Sequence, residues 1–182
     1  MKRYPYILAA TLLFFALLSS CKGDDAAAPT QAEKKIVETR LKFGSTYGSH
    51  ALYLSAQGTS INGGLSPDFN FIGLETQEEG SIIHEASVIK TATYSSIPSD
   101  EVRFKTSEPV STLSVAIAAP YQIFVDPNTP TMNFTIEFYL DGKKVASASE
   151  NPFPSNSPGK VYVFDVSDPE NIIVSYPPSV GN

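Results

Sequence analysis

Residues 134–140, Phe134-Thr135-Ile136-Glu137-Phe138-Tyr139-Leu140, alternate large apolar side chains with polar or amphipathic ones. Successive strand residues point to opposite faces, so this run places Phe134, Ile136, Phe138 and Leu140 on one side and Thr135, Glu137 and Tyr139 on the other. Asp141-Gly142 follows, a pair suited to the two positive-φ positions of a type I′ turn, which predicts a hairpin. A tight register through that turn sets Val145 opposite Phe138, with Ser147 and Ser149 opposite Ile136 and Phe134. The same period of two predicts further strands at 37–43, 51–57, 69–75, 82–94, 101–106, 112–119, 121–125, 161–166 and 171–176. Leu113, Val115 and Ile117 alternate with Ser114, Ala116 and Ala118 and mark a core wall. Val161-Tyr162-Val163-Phe164 is apolar on both faces and reads as a central strand. The separators are turn formers: Asn62-Gly63-Gly64, Pro98-Ser99-Asp100, Asp126-Pro127-Asn128 and residues 152–159. No stretch carries a sustained helical stripe with caps. About ten short strands at this spacing predict an all-β fold, an antiparallel β-sandwich of immunoglobulin-like type, with an antiparallel β-barrel as the alternative.

The first twenty residues follow a different pattern. Lys2 and Arg3 precede an uncharged, mainly apolar run from Ile7 to Leu18, then Ser19-Ser20 and the chain's one cysteine, Cys21. Twelve helical residues rise about 18 Å, too short for a hydrocarbon core about 30 Å thick, so the run reads as a signal h-region. Leu18-Ser19-Ser20-Cys21 resembles the lipobox of bacterial lipoproteins. The resemblance implies cleavage before Cys21 and lipidation of Cys21 as the mature N-terminus. A single cysteine forms no intramolecular disulfide and no thiolate metal cluster, so stability must come from a packed core.

Residues 22–35 are small and polar without an apolar period and read as a flexible tether, with a root-mean-square reach of about 20 Å as a coil. Lys22-Gly23-Asp24-Asp25 resembles the acidic export signal of Bacteroidota surface lipoproteins, with Gly23 as a departure from its pattern. That resemblance implies anchoring to the outer membrane of the cell envelope and display at the cell surface, with the periplasmic face as the alternative. The predicted organisation is a signal peptide at 1–20, the lipidated cysteine and tether at 21–35, and one β-sandwich domain at 36–182. Within it, residues 101–166, chiefly Ile136 to Lys143, resemble the immunoglobulin-like modules of bacterial envelope proteins. That likeness implies a fold and carries no functional residues.

The full chain has a formal net charge of −6. Loss of Lys2 and Arg3 leaves 11 basic residues against 19 acidic ones, a net charge of −8. Such a balance disfavours nucleic acid and anionic lipid as partners, because both demand a basic surface.

The candidate chemistry is sparse. Ser87-Val88-Ile89-Lys90 has the Ser-x-x-Lys spacing of penicillin-recognising acyltransferases, a motif that works on a helix, where residues three apart share a face. On a strand Ser87 and Lys90 point apart. His50 and His84 have no partner at zinc-ligand spacing. Glu75, Glu78 and Glu79, and the loop Asp126-Pro127-Asn128-Thr129, hold oxygen ligands without a calcium-loop pattern. The expectation is therefore no catalytic residue, no cofactor and no metal site. Tyr47, Tyr53, Tyr94, Tyr121, Tyr139, Tyr162 and Tyr176 are available for a protein or glycan surface, although a sandwich core also needs aromatic filling. The sequence points to a membrane-anchored envelope lipoprotein that serves as a non-catalytic binding module for a protein or polymer ligand. The alternative is a structural accessory subunit of an envelope assembly or nutrient-capture complex.

Overall fold

The computed structural model describes residues 33–44, 47, 50–61, 63–66, 68–74, 81–84, 86–94, 97, 99–118, 132–153 and 159–176. Eleven strands are assigned in chain order: β1 Val37–Phe43, β2 Leu52–Thr59, β3 Phe71–Ile72, β4 Ser81–His84, β5 Ser87–Tyr94, β6 Glu101–Thr106, β7 Thr112–Ala118, β8 Met132–Leu140, β9 Lys143–Phe153, β10 Lys160–Asp165 and β11 Ile172–Ser175. They form two antiparallel sheets, one ordered β3-β6-β1-β8-β9 and the other β11-β10-β7-β2-β5-β4. The described ladders remain two separate sheets, which makes this the β-sandwich expected from the period of two and not the barrel.

Alternation decides which residues enter the core. Val37, Leu41, Phe104, Ile136 and Phe138 from the five-stranded sheet meet Leu52, Leu54, Leu113, Val115, Ile117 and Phe164 from the six-stranded sheet, all buried. Phe138 stacks on Phe164 across the gap with ring centroids 4.8 Å apart, and Phe134 meets Tyr162 edge-on at 5.9 Å. These ring pairs tie the sheets face to face, each adding about 1 kcal/mol beyond its buried area.

The Asp141-Gly142 turn forms as expected, with φ of 51° and 77°. The register beyond it does not. Phe138 pairs with Ala146, Ile136 with Ala148 and Phe134 with Glu150, after an irregularity between Phe138 and Tyr139. Val145 is thus an extra residue in a β-bulge, and the insertion exchanges the two faces of β9. Alanines come to lie opposite the largest core side chains, and Ser147 and Ser149 turn outward. Two further expectations change. Residues 82–94 are not one strand but the hairpin β4–β5, with His84 paired to Ser87; thirteen residues exceed the six to nine that most strands of this sandwich use. The strand expected at 69–75 pairs only at Phe71–Ile72, because Gly73 adopts a φ of 90° and ends it. Val161 to Phe164 lie in β10, an interior strand paired on both sides, by β7 and by edge strand β11. The strand expected at 121–125 lies outside the described residues.

Chain entry is fixed at one end of the sandwich. Lys35 exchanges two backbone hydrogen bonds with Val110, at 3.0 and 2.9 Å. The polypeptide then runs up β1 to Phe43 at the opposite end, about 20 Å away for seven extended residues.

Candidate functional site

The outer faces of the two sheets differ in kind. On the six-stranded sheet the outward positions of its central strands are Tyr53, Ser55, Gln57 and Thr59 on β2 and Thr112, Ser114, Ala116 and Ala118 on β7; Val161 and Val163 on β10 continue this uncharged surface as far as Asp165 at the strand end. On the five-stranded sheet, register builds three charged rows. Glu101, Lys42, Thr135 and Ser149 make the first; Arg103, Arg40, Glu137 and Ser147 the second; Lys105, Glu38, Tyr139 and Lys144 the third.

The three rows are tied together through Glu137. Its carboxylate accepts hydrogen bonds from the Tyr139 hydroxyl at 2.7 Å and from Lys144 Nζ at 3.2 Å, and pairs with Lys42 Nζ at 2.7 Å. Burial by itself pushes this carboxyl upward. The Lys42 ammonium, the Tyr139 hydroxyl and the Lys144 ammonium override it and hold the group at about 2 instead of the ordinary 4.5. The same contact raises Lys42 above its ordinary value. Beside it, Arg40 lies over the Tyr139 ring, 4.0 Å from the centroid, and donates from Nε to Glu38 Oε1 at 2.7 Å. Arg103 donates to Glu101 Oε1 at 2.6 Å and lies 3.6 Å from Glu38.

Two open grooves flank this array. One, of about 350 Å³, lies where Lys42, Asn133, Thr135, Ser149 and Glu150 meet. Glu150 also accepts from Tyr162 at 3.0 Å and pairs with Lys160, joining the two sheets at that end. Burial, then the Glu150 carboxylate, push the Tyr162 hydroxyl above its ordinary range. The other groove, of about 280 Å³, runs along the β3–β6 edge beside Glu38, Ile72, Gly73, Arg103 and Lys105.

The residues singled out from sequence fall elsewhere. Ser87 pairs with Thr59 and Lys90 with Ala56, positions on opposite faces of β2, and Lys90 Nζ donates to Asn70 at 2.9 Å. His50 is buried in a loop where its carbonyl accepts from Ile97. Only the backbone of His84 is described. Cys21, Glu75, Glu78, Glu79, Tyr121 and the loop 126–129 lie outside the described residues. Among the described residues no three His, Cys, Asp or Glu side chains form a cation-binding group. Of the tyrosines, Tyr162 belongs to the core, Tyr139 lies under the charged rows, and Tyr53 and Tyr176 are exposed. The array itself was missed because no motif marks it. Its one linear trace is the alternation Glu38-Arg40-Lys42 and Glu101-Arg103-Lys105.

The class defined by these features is a two-sheet antiparallel β-sandwich whose five-stranded sheet carries a charged outer face and whose six-stranded sheet is uncharged at the outward positions of β2 and β7. No family model matches the chain, and no curated protein matches it. Among solved structures it is similar to a domain of unknown function, DUF4425, from Bacteroides vulgatus ATCC 8482, with 11% identity, a TM-score of 0.41 and coverage of 79% of this chain and 97% of that one. It is similar also to a DUF4425 family protein from Bacteroides ovatus ATCC 8483, with 9% identity, a TM-score of 0.39 and coverage of 74% and 95%.

Proposed function

We propose that this protein is a lipoprotein of the bacterial cell envelope, anchored to the outer membrane through Cys21 and displayed at the cell surface, whose β-sandwich is a non-catalytic binding module for a polymer or protein ligand. The observation that carries the binding reading is the fixed array on the five-stranded sheet: charged side chains held in place by hydrogen bonds, open to solvent and flanked by two grooves. The opposed placement of Ser87 and Lys90 supports a non-catalytic role. The polar tether, joined to the sandwich at Lys35, supports a module held off a membrane.

Structural accessory service is favoured by a different feature, the edge strand β11. Ile173 and Tyr176 are 64% and 65% exposed there, and Ile172–Ser175 carries no charge that would discourage strand pairing.

The anchor is tested with Cys21→Ser. Labelled palmitate should enter the native protein and not the variant, and the variant should leave the membrane fraction or remain unprocessed. Two acyl chains suffice for stable anchoring, so loss of the acceptor thiol should be decisive. A variant that is still processed and membrane-bound refutes the lipoprotein reading.

A further inference from the structure

We infer that the outer face of β6, β1 and β8, with the groove beside Ile72, binds an acidic polysaccharide: a polyhydroxylated chain bearing one carboxylate per sugar. The proposal rests on the binding-module reading and not on the lipid anchor.

Arg40, Lys42, Arg103, Lys105 and Lys144 stand against Glu38, Glu101 and Glu137 on this face, an excess of cations on a chain whose net charge is −6. The two signs are layered. Lys42, Arg103 and Lys144 side chains are 45%, 54% and 51% exposed, whereas Glu38, Glu101 and Glu137 are 24%, 28% and 7% exposed. Lys42, Arg103 and Lys144 therefore stand above the carboxylates and meet an approaching ligand first, while Arg40, 23% exposed, lies level with Glu38. Elsewhere the chain's negative charge repels a polyanion, which confines binding to this face.

A second observation is a conflict in the ladder. Arg40 and Arg103 lie directly opposite each other across β1 and β6. Like charges so placed destabilise a sheet, and local violations of this kind concentrate at functional sites. Glu38 Oε1, 2.7 Å from Arg40 Nε and 3.6 Å from Arg103 Nε, screens this repulsion in part, and Arg103, 54% exposed, is left to meet an anionic group from solvent.

The carboxylates choose among polyanions. A nucleic acid duplex carries one charge per roughly 1.7 Å of axis, and so dense a row of phosphates brings some of them against Glu38 and Glu101, which repel them. A sugar chain has sparse charge and many hydroxyl donors, so the same carboxylates become acceptors. Arg103 and Lys105, two residues apart on β6, place two cations on the same face roughly 7 Å apart along the strand. Ile72, 52% exposed at the groove, supplies apolar surface for the C–H face of a sugar ring. Gly73 lets that edge close on β6: its φ is 90°, and a Cβ there would lie 2.6 Å from the Arg103 carbonyl oxygen.

The test is binding of the detergent-solubilised full chain to polygalacturonate, with dextran and polyglutamate as comparisons. Polygalacturonate should bind, dextran should not, and added salt should weaken the complex. R103Q with K105Q should weaken it about tenfold, as expected for two exposed charge contacts. Its thermal midpoint should not fall, because R103Q removes one of the opposed guanidinium groups. The proposal is overturned if polygalacturonate does not bind, if the double variant binds equally well, or if polyglutamate binds as tightly, which would make charge alone the determinant. Dextran bound as tightly as polygalacturonate would overturn the ligand class while leaving the binding-module reading intact.

Discussion

Glu137→Gln removes the charge at the centre of the array while keeping side-chain volume and an acceptor for the Tyr139 hydroxyl. A carboxyl held at about 2 instead of 4.5 corresponds to roughly 3 kcal/mol of stabilisation at neutral pH. Its ammonium partners Lys42 and Lys144 are about half exposed, so solvent screening reduces the expected loss to about 1–2 kcal/mol. For a domain of this size that is a fall in melting temperature of about 3–6 °C. The pH dependence is the sharper signature. Because the folded value is depressed, the stabilisation is present above about pH 4.5 and is lost as the pH falls toward 2. Urea unfolding of native and variant protein at pH 7 and at successively lower pH should show a deficit that shrinks through this window. A deficit of constant size from pH 7 to pH 2 would refute the electrostatic account and assign the effect to packing. No deficit at pH 7 would mean that the two ammonium groups do not hold the carboxylate.

Two glycines give independent tests of the fold. A Cβ at Gly58 would lie 2.7 Å from the Phe69 ring and 3.1 Å from Val110, so Gly58→Ala should cost about 1–3 kcal/mol by overpacking; an unchanged thermal midpoint would show that Phe69 does not fill that position. Gly142 has open space around it and a φ of 77°, so Gly142→Val should act through backbone strain alone, costing about 1–2 kcal/mol. A thermal melt of this variant that matches the native protein would place the turn at other residues.

Strands whose inward and outward residues differ in polarity were legible from sequence to the residue. β1 and β6 occupy the expected 37–43 and 101–106 because Val37, Leu41, Val102 and Phe104 alternate with Glu38, Arg40, Glu101 and Arg103. The β4–β5 break was not, because residues 85 and 86 are Glu and Ala, neither of which marks a turn. The bulge at Val145 left a faint signal. A straight register would have set Ser147 and Ser149 against Ile136 and Phe134, a poor match; the inserted residue brings Ala148 opposite Ile136, and Glu150, which reaches Tyr162 and Lys160, opposite Phe134.

The charged array was illegible for a deeper reason. Each strand displays its alternating charges, but Arg40 meets Arg103 only because β1 and β6, more than sixty residues apart in sequence, are neighbours. Strand order is a property of the assembled sheet, not of either strand's period. The opposition of those two guanidinium groups also explains why Glu38 matters out of proportion to its exposure. Its Oε1 lies 2.7 Å from Arg40 Nε and 3.6 Å from Arg103 Nε, so one carboxylate oxygen screens both. The fold thus tolerates the repulsion without neutralising the row, since Arg103 remains half exposed above that oxygen. A face built only for stability would have put an acid or a neutral residue opposite Arg40. Retaining a second cation there leaves unspent attraction for an anion arriving from solvent.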